Sequence, residues 1–296
     1  MQVSALHVFP VKSLRGFAAQ VGDVERLGLR DDRRWMVVDD HGEVLTARAL
    51  PAMLSVTATT ETDGTLTLHA RGREPLRVPV PVAGAAVAVG LSRVGTAVAA
   101  GPRADAWLAG ALGVPAHLVW LDDPTRRTVS PRHGGELGDV LSLADTGPLL
   151  LTSQVSLRQV DRWSVHAHAE RVARCGASAG TRPAPLAMER FRPNVVVDGD
   201  LEPFAEDGWQ RVRIGDVDFR VTELCDRCVL TTLDPHTQVR GQEPLRTLAK
   251  HRRWDGMVWF GIRLVPVTTG RIRVGDRVEA WTSPAAQGAV KPTLGL

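Results

Sequence analysis

The chain has 296 residues, 44% of them hydrophobic, with a formal net charge of +3 and a pI near 9.1. That is enough apolar material for one large domain or two smaller ones, and no run approaches the roughly 18 to 20 apolar residues of a membrane span. Three cysteines are too few for a disulfide framework and point to a reducing compartment. The start "MQVSALHVFPVKS" has no signal-peptide pattern, so a cytoplasmic, soluble protein with no membrane partner is expected. Nearly all the positive charge is arginine, with lysine only at Lys12, Lys250 and Lys291. Arginine and acid are interspersed, tyrosine is absent, and no basic aromatic stripe marks a nucleic-acid surface.

The first half reads as β. Alternating apolar residues flank Asp40-His41-Gly42 in "RWMVVDDHGEVLTAR" and Asp63-Gly64 in "LSVTATTETDGTLTLHA". Asp-Gly between β-branched runs is a hairpin signal. "LRVPVPVAGAAVAVGL" is a third β stretch, interrupted by prolines that suit edges and bends. A short helix is predicted at "ADAWLAGALG", stopped by Gly113. "DDPTRRTVSPRHGGELGD" reads as a loop and a domain junction.

"LLLTSQVSLRQVDRW" opens the second half, with Thr152 or Ser153 as the N-cap of an amphipathic helix. "FRPNVVVDG", "RVRIGDVDFRVTEL" and "RIRVGDRVEAW" follow as β runs, two of them turning at Gly215-Asp216 and Gly275-Asp276. The expected fold class is α+β and β-rich: an N-terminal β-barrel-like domain over residues 1–120, then a second β-barrel domain with a few helices over 121–284. The tail, 285–296, has little to bury and is expected to be flexible.

"LCDRCVLTTLDPHTQ" carries Cys225 and Cys228 in a Cys-x-x-Cys spacing. A structural zinc site needs about four Cys or His ligands; a second pair is missing, and borrowing His236 and His251 matches no zinc spacing. A thioredoxin-type pair should open a helix after a strand, whereas "VLTTLDPHT" reads as β-rich and then a turn. A single reactive or metal-binding thiolate is the third reading, favoured by Arg227 and opposed by Asp226. A buried inert cysteine remains the simplest account of either thiol alone, and of Cys175 at a predicted helix end.

"FPVKSLRG", "DRRWMVVDDHGEVLTAR", "FRPNVVVDG", "CDRCVLTTLDPHTQ" and "RIRVGDRVEAW" occur together and in order, over nearly all of residues 1–284. As a set they resemble the MOSC family, named after the C-terminal domain of molybdenum cofactor sulfurase, and especially members with an N-terminal MOSC β-barrel domain, among them amidoxime-reducing proteins. The resemblance implies a molybdenum cofactor of the molybdopterin type, with Cys228 as metal ligand and Cys225 as its neighbour. It implies reduction of N-hydroxylated compounds, with two electrons and two protons removing an oxygen as water. No pyridoxal phosphate is expected.

The remaining motifs suit an anionic pterin. Lys12 and Ser13 offer a point charge and a hydroxyl; Arg33 and Arg192 offer bidentate forks. Asn194 has an amide able to read a ring edge, and Thr152 and Ser153 sit at a predicted helix start, where free N–H groups favour anions. Asp226 and Arg227 adjoin the proposed ligand, and Arg263 in "FGIRLVP" departs from the family pattern near the pocket.

The chain has no Cys-x-x-Cys-His haem signature, no set of four cluster cysteines and no Gly-x-Gly-x-x-Gly before a helix. Electrons are therefore expected from a separate ferredoxin- or flavodoxin-like protein, steered by surface arginines such as Arg126, Arg127 and Arg132. The alternative functions are a cofactor or persulfide carrier without reductase turnover, and a β-barrel binding module that has lost the cofactor.

Overall fold

A computed structural model describes residues 1–175 and 184–282. The expected tail at 285–296 lies outside the described residues, as does the side chain of Cys175. The fold is β-rich α+β, with α1 at Pro102–Leu112, α2 at Gln154–Cys175 and α3 at Leu245–His251. None of the described helices is long and apolar enough to cross a membrane.

Local signals decide several elements. Thr57–Thr60 and Leu66–His69 pair antiparallel around the Asp63-Gly64 turn. The helix α1 stops at Gly113, which adopts the left-handed conformation (φ 75°) and donates its N–H to the Ala109 carbonyl. The third β stretch divides. Leu76–Val78 pairs with Leu66–His69, whereas Ala86–Val89 pairs with Gly95–Ala99 in another sheet. Pro79 and Pro81 lie between them and lack the N–H needed to continue one ladder.

The largest sheet runs in the order Val278–Thr282, Trp209–Ile214, Val217–Asp226, Met257–Pro266, Leu149–Ser153, Val195–Asp198, Gln2–Val8 and Phe17–Ala19. Its first strand in the chain, Gln2–Val8, is hydrogen-bonded to Val195–Asp198, so the N-terminus belongs to a sheet built mainly by the second half. The two end strands are not paired with each other, and the described sheet does not close into a barrel.

The central strands are covered on both faces. Leu149, Leu151, Val195 and Val197 share one core with Leu6, Ile262 and Leu264. On the other face Val196 packs with Leu157 and Val160 of α2 and with Phe260. Burial on both sides explains why Leu149, Leu150 and Leu151 run apolar instead of alternating.

The two Gly-Asp turns do different things. Gly215-Asp216 closes a hairpin between Trp209–Ile214 and Val217–Asp226. Gly275-Asp276 carries the chain from one sheet to another, because Gly270–Arg273 pairs with Val21–Glu25 and Val278–Thr282 pairs with Trp209–Ile214.

Other expectations are corrected. Val229–Thr232 is a 3-10 turn, not a β run. Arg127 is buried, donating to the carbonyls of Ser142, Ala144 and Asp145. Burial pulls its pKa down to about 10, with Arg93 adding repulsion. It organises the 142–145 loop and cannot steer a partner at the surface. Arg126 pairs with Asp122, and Arg132 is exposed.

His117 clasps the first half together. Its Nε2 lies 2.7 Å from Asp40 and its Nδ1 2.9 Å from Asp105 on α1. Hydrogen bonds to Asp40 first and Asp105 second raise its pKa. A raised histidine stabilises the fold fully below its unfolded value, about 6.5, and that contribution is lost as pH rises through the folded value. The side chain is 40% exposed, so the effect belongs to the surface range of about 0–1 kcal/mol. Urea midpoints from pH 5.5 to 8.5 should show the advantage of the wild type over His117→Gln shrinking as pH rises. A constant difference would exclude the clasp.

Candidate cofactor site

The backbone around one cavity is strained where the motifs predicted function. Of eight described non-glycine residues with positive φ, three line this cavity: Ser13 at 68°, Arg33 at 50° and Arg192 at 55°. Each costs on the order of 1–3 kcal/mol unless its surroundings hold it. Arg33 is held by its N–H to the Phe9 carbonyl, and Arg192 caps the 3-10 turn Met188–Phe191.

The cavity has a volume of about 340 Å³. It brings Lys12, Ser13 and Arg33 together with Arg192, Asn194, Asp226, Arg227, Cys228 and Arg263, from distant parts of the sequence. Two further predicted residues are absent from its walls. Thr152 and Ser153 are fully buried. Ser153 Oγ is the N-cap of α2, accepting from the N–H groups of Val155 and Ser156. Thr152 is still in the strand and donates to Met188 Sδ. Both hydroxyls are used inside the protein, and Ser153 Oγ takes up two of the N–H groups at the helix start.

Cys228 reaches the cavity because its strand ends just before it. Val217–Asp226 stops, Arg227 donates its N–H to the Val258 carbonyl at 2.7 Å, and the next turn starts at Cys228. Cys228 is exposed, whereas Cys225, still in the strand, is 6% exposed. Both thiols are free. Among the described residues no three His, Cys, Asp or Glu side chains converge as a metal-holding group.

Arg227 is threaded beneath this turn. Its Nε donates to the Phe260 carbonyl at 2.8 Å and its Nη1 to that of Phe191 at 3.1 Å. Gly261, with φ at +80°, permits this course: a Cβ there would meet the Leu151 carbonyl at 2.7 Å and stand 3.4 Å from Arg227 Nη2.

Charge dominates the walls. Lys12 pairs with Asp145 and donates to the Leu143 carbonyl at 3.1 Å. Burial lowers the lysine's pKa, with Asp145 opposing that shift. Burial alone would raise the Asp145 carboxyl, but Lys12, Arg33 and Arg48 hold it well below the usual carboxylate range. Its side chain is 73% exposed, so it stays accessible at the cavity rim.

Arg33 donates to Asp32 at 2.5 Å, to Asn194 Oδ1 at 3.1 Å and to the Arg192 carbonyl at 3.2 Å. Asn194 Oδ1 also accepts the Leu150 N–H, and its Nδ2 donates to the His7 carbonyl. Its amide oxygen is thus spent within the protein, and Asn194 positions Arg33.

Arg263 donates to Glu223 at 2.5 Å and to Asp226 at 2.7 Å. Burial works against its charge, but Cys225, Glu223 and Asp226 raise its pKa above the ordinary value. Arg263 therefore neutralises Asp226 beside the cysteines. Arg48, Arg192 and Arg227 line the cavity with no ion pair among the described residues. Burial first and Arg33 second pull the Arg192 pKa down to about 9, still charged at neutral pH. An anion entering here relieves repulsion and meets preformed donors.

Sequence reading missed Asp32, Arg48, Asp145 and Arg190. Asp32 stands inside "DDRRW" and Asp145 in "LADTG", but an acid beside an arginine carries no sign of which way it points. Phe9 was also missed: its ring lies 4.9 Å from the Arg33 guanidinium and 4.3 Å from that of Arg192, close enough for cation–π attraction to both.

Comparison with known families places this strand-rich fold. Residues 1–115 match the MOSC N-terminal beta barrel domain, and residues 133–279 match the MOSC domain. The chain belongs to the MOSC family. It is similar to mitochondrial amidoxime-reducing component 1 of Homo sapiens, 30% identical over 296 residues, covering 93% of this chain and 82% of that protein. Mitochondrial amidoxime reducing component 2 of Rattus norvegicus is 31% identical with the same coverage. Molybdenum cofactor sulfurase of Danio rerio is 32% identical over 270 residues, covering 88% of this chain and 31% of that protein.

Proposed function

We propose that this chain is a molybdenum-cofactor-dependent reductase of N-hydroxylated compounds, recharged by a separate electron-transfer protein. The observation that carries the reading is one exposed thiol, Cys228, on the wall of a cavity with surplus positive charge. The cavity's chemistry fits an anionic cofactor. Arg190 Nε, Arg192 Nη2 and Arg227 Nη2 are buried without hydrogen-bond partners among the described residues. Such donors are costly to leave unmet. The names of the amidoxime-reducing relatives support the reaction class.

Each residue has a part in this reading. Cys228 supplies a soft thiolate, the ligand type that suits a redox-active metal. Arg192, Arg227 and Arg48 bind the anionic groups of the cofactor. Asp32 and Asn194 aim Arg33, and Arg263 cancels the Asp226 charge that would otherwise repel an anion. The cofactor, when bound, supplies two-electron redox chemistry. Reduction of an N-hydroxyl group then consumes two electrons and two protons and releases water.

The test is turnover of benzamidoxime by the molybdenum-loaded protein. NADH alone should give none. A chemical one-electron donor, or a ferredoxin with its reductase, should support it, and the protein-donor rate should fall as salt screens the encounter. NADH-driven turnover by the pure chain would reveal a further cofactor site. Full loading without turnover from any donor would replace the reductase with a carrier of cofactor or persulfide.

A further inference from the structure

A second cavity, of about 190 Å³, shares Arg190, Arg192 and Leu230 with the first. Its character is different. Phe9, Phe17, Leu54, Leu233 and Pro235 make an apolar wall that carries no lysine and no cysteine. Not all of its polar groups are satisfied. Arg15 is half-buried, and its guanidinium makes no hydrogen bond or ion pair among the described residues. His7 Nδ1 is buried without a partner and lines this cavity alone.

Charge selects the sign of the occupant. Glu189 is the carboxylate on the wall, and Asp234 pairs with Arg190 at 2.7 Å. With Arg192 serving the first cavity and Glu189 exposed to solvent, Arg15 is the half-buried cation left without a counter-charge among the described residues. An apolar pocket with a few convergent polar groups is the usual form of a small-molecule site. We infer that this second cavity binds a small organic anion, a carboxylate on an aryl or short alkyl body, with the body against Phe9, Phe17 and Leu54 and the carboxylate on Arg15. Burial lowers the His7 pKa, opposed by Glu189 and by a hydrogen bond to the Pro193 backbone carbonyl.

The probe is benzoate, titrated calorimetrically into the full chain loaded with its cofactor, with benzylamine as the charge-reversed control. Benzoate should bind saturably, and benzylamine at least about tenfold more weakly. Arg15→Gln should weaken benzoate about tenfold, the lower end of what a charge-assisted hydrogen bond contributes. Ala18 lines only this cavity and is exposed, so Ala18→Trp should narrow the mouth and weaken benzoate at least as much without touching the core. Thermal melts without benzoate check folding, and if Arg15→Gln is unfolded, Ala18→Trp decides. Lack of saturable binding overturns the inference. So does binding unchanged in the folded variants, which would place benzoate elsewhere. Benzamidoxime turnover is not needed for any of these readings, so the site stands or falls apart from the proposed reaction.

Discussion

Cys228→Ala is expected to lose its bound molybdenum, while Cys225→Ala keeps most of it. The two thiols are three residues apart and both border the cavity, but the strand ends between them. Cys225 remains inside the ladder, 6% exposed, with its Sγ 3.5 Å from the Asp226 carbonyl. Cys228 follows the last backbone pairing and is exposed. A ligand must present its sulfur to the incoming group, and only Cys228 does so without rearranging the sheet. Metal analysis of both variants, expressed in a host that makes the cofactor, separates them. Equal loss from both would point to paired-thiol chemistry. Equal retention would remove Cys228 from the site.

Asp32→Ala should destabilise the protein by about 3–5 kcal/mol, the range for breaking a buried ion pair by removing one partner. Asp32 is fully buried. Its Oδ1 accepts the Phe9 N–H at 2.8 Å and its Oδ2 accepts Arg33 at 2.5 Å. Without it, the Arg33 guanidinium, whose side chain is only 13% exposed, loses its ion-pair partner among the described residues, and it faces Arg192 across the Phe9 ring. Asp32→Asn keeps an acceptor for Phe9 and should lose less. Urea unfolding of the three proteins measures the order. A loss below about 1 kcal/mol for Asp32→Ala, the size of a surface pair, would show that Arg33 is not held by this bond.

Much of the fold was legible because its signals are local. The Asp63-Gly64 hairpin, the stop at Gly113 and the Ser153 cap depend on φ preference and on hydrogen bonds within a few residues. The failures were local too. "VLTT" has strand propensity, but the chain must turn there to leave the sheet, and the Cys228 carbonyl accepts Thr231 Oγ1 at 3.0 Å instead of joining a ladder. The Gly275-Asp276 turn reads like Gly215-Asp216, yet a turn does not say which strand its arms will meet.

For the site, the sequence by itself determined which residue types were available: a pair of cysteines, an unusual Lys12, and arginines beside turn-forming motifs. The MOSC resemblance gathered those motifs into one expected pocket. Only the tertiary structure decided which of them face it. Thr152 and Ser153 turned inward because the strand that carries them is buried on both faces, and their hydroxyls had to be satisfied there. Arg127 was drawn into the 142–145 loop by three carbonyls. Asp32 and Asp145, unremarked in the sequence, became the counter-charges of Arg33 and Lys12. The physical reason is that composition and spacing record what a side chain can do, whereas its partners are set by contacts spanning more than a hundred residues, such as Lys12 with Asp145 and Arg33 with Asn194.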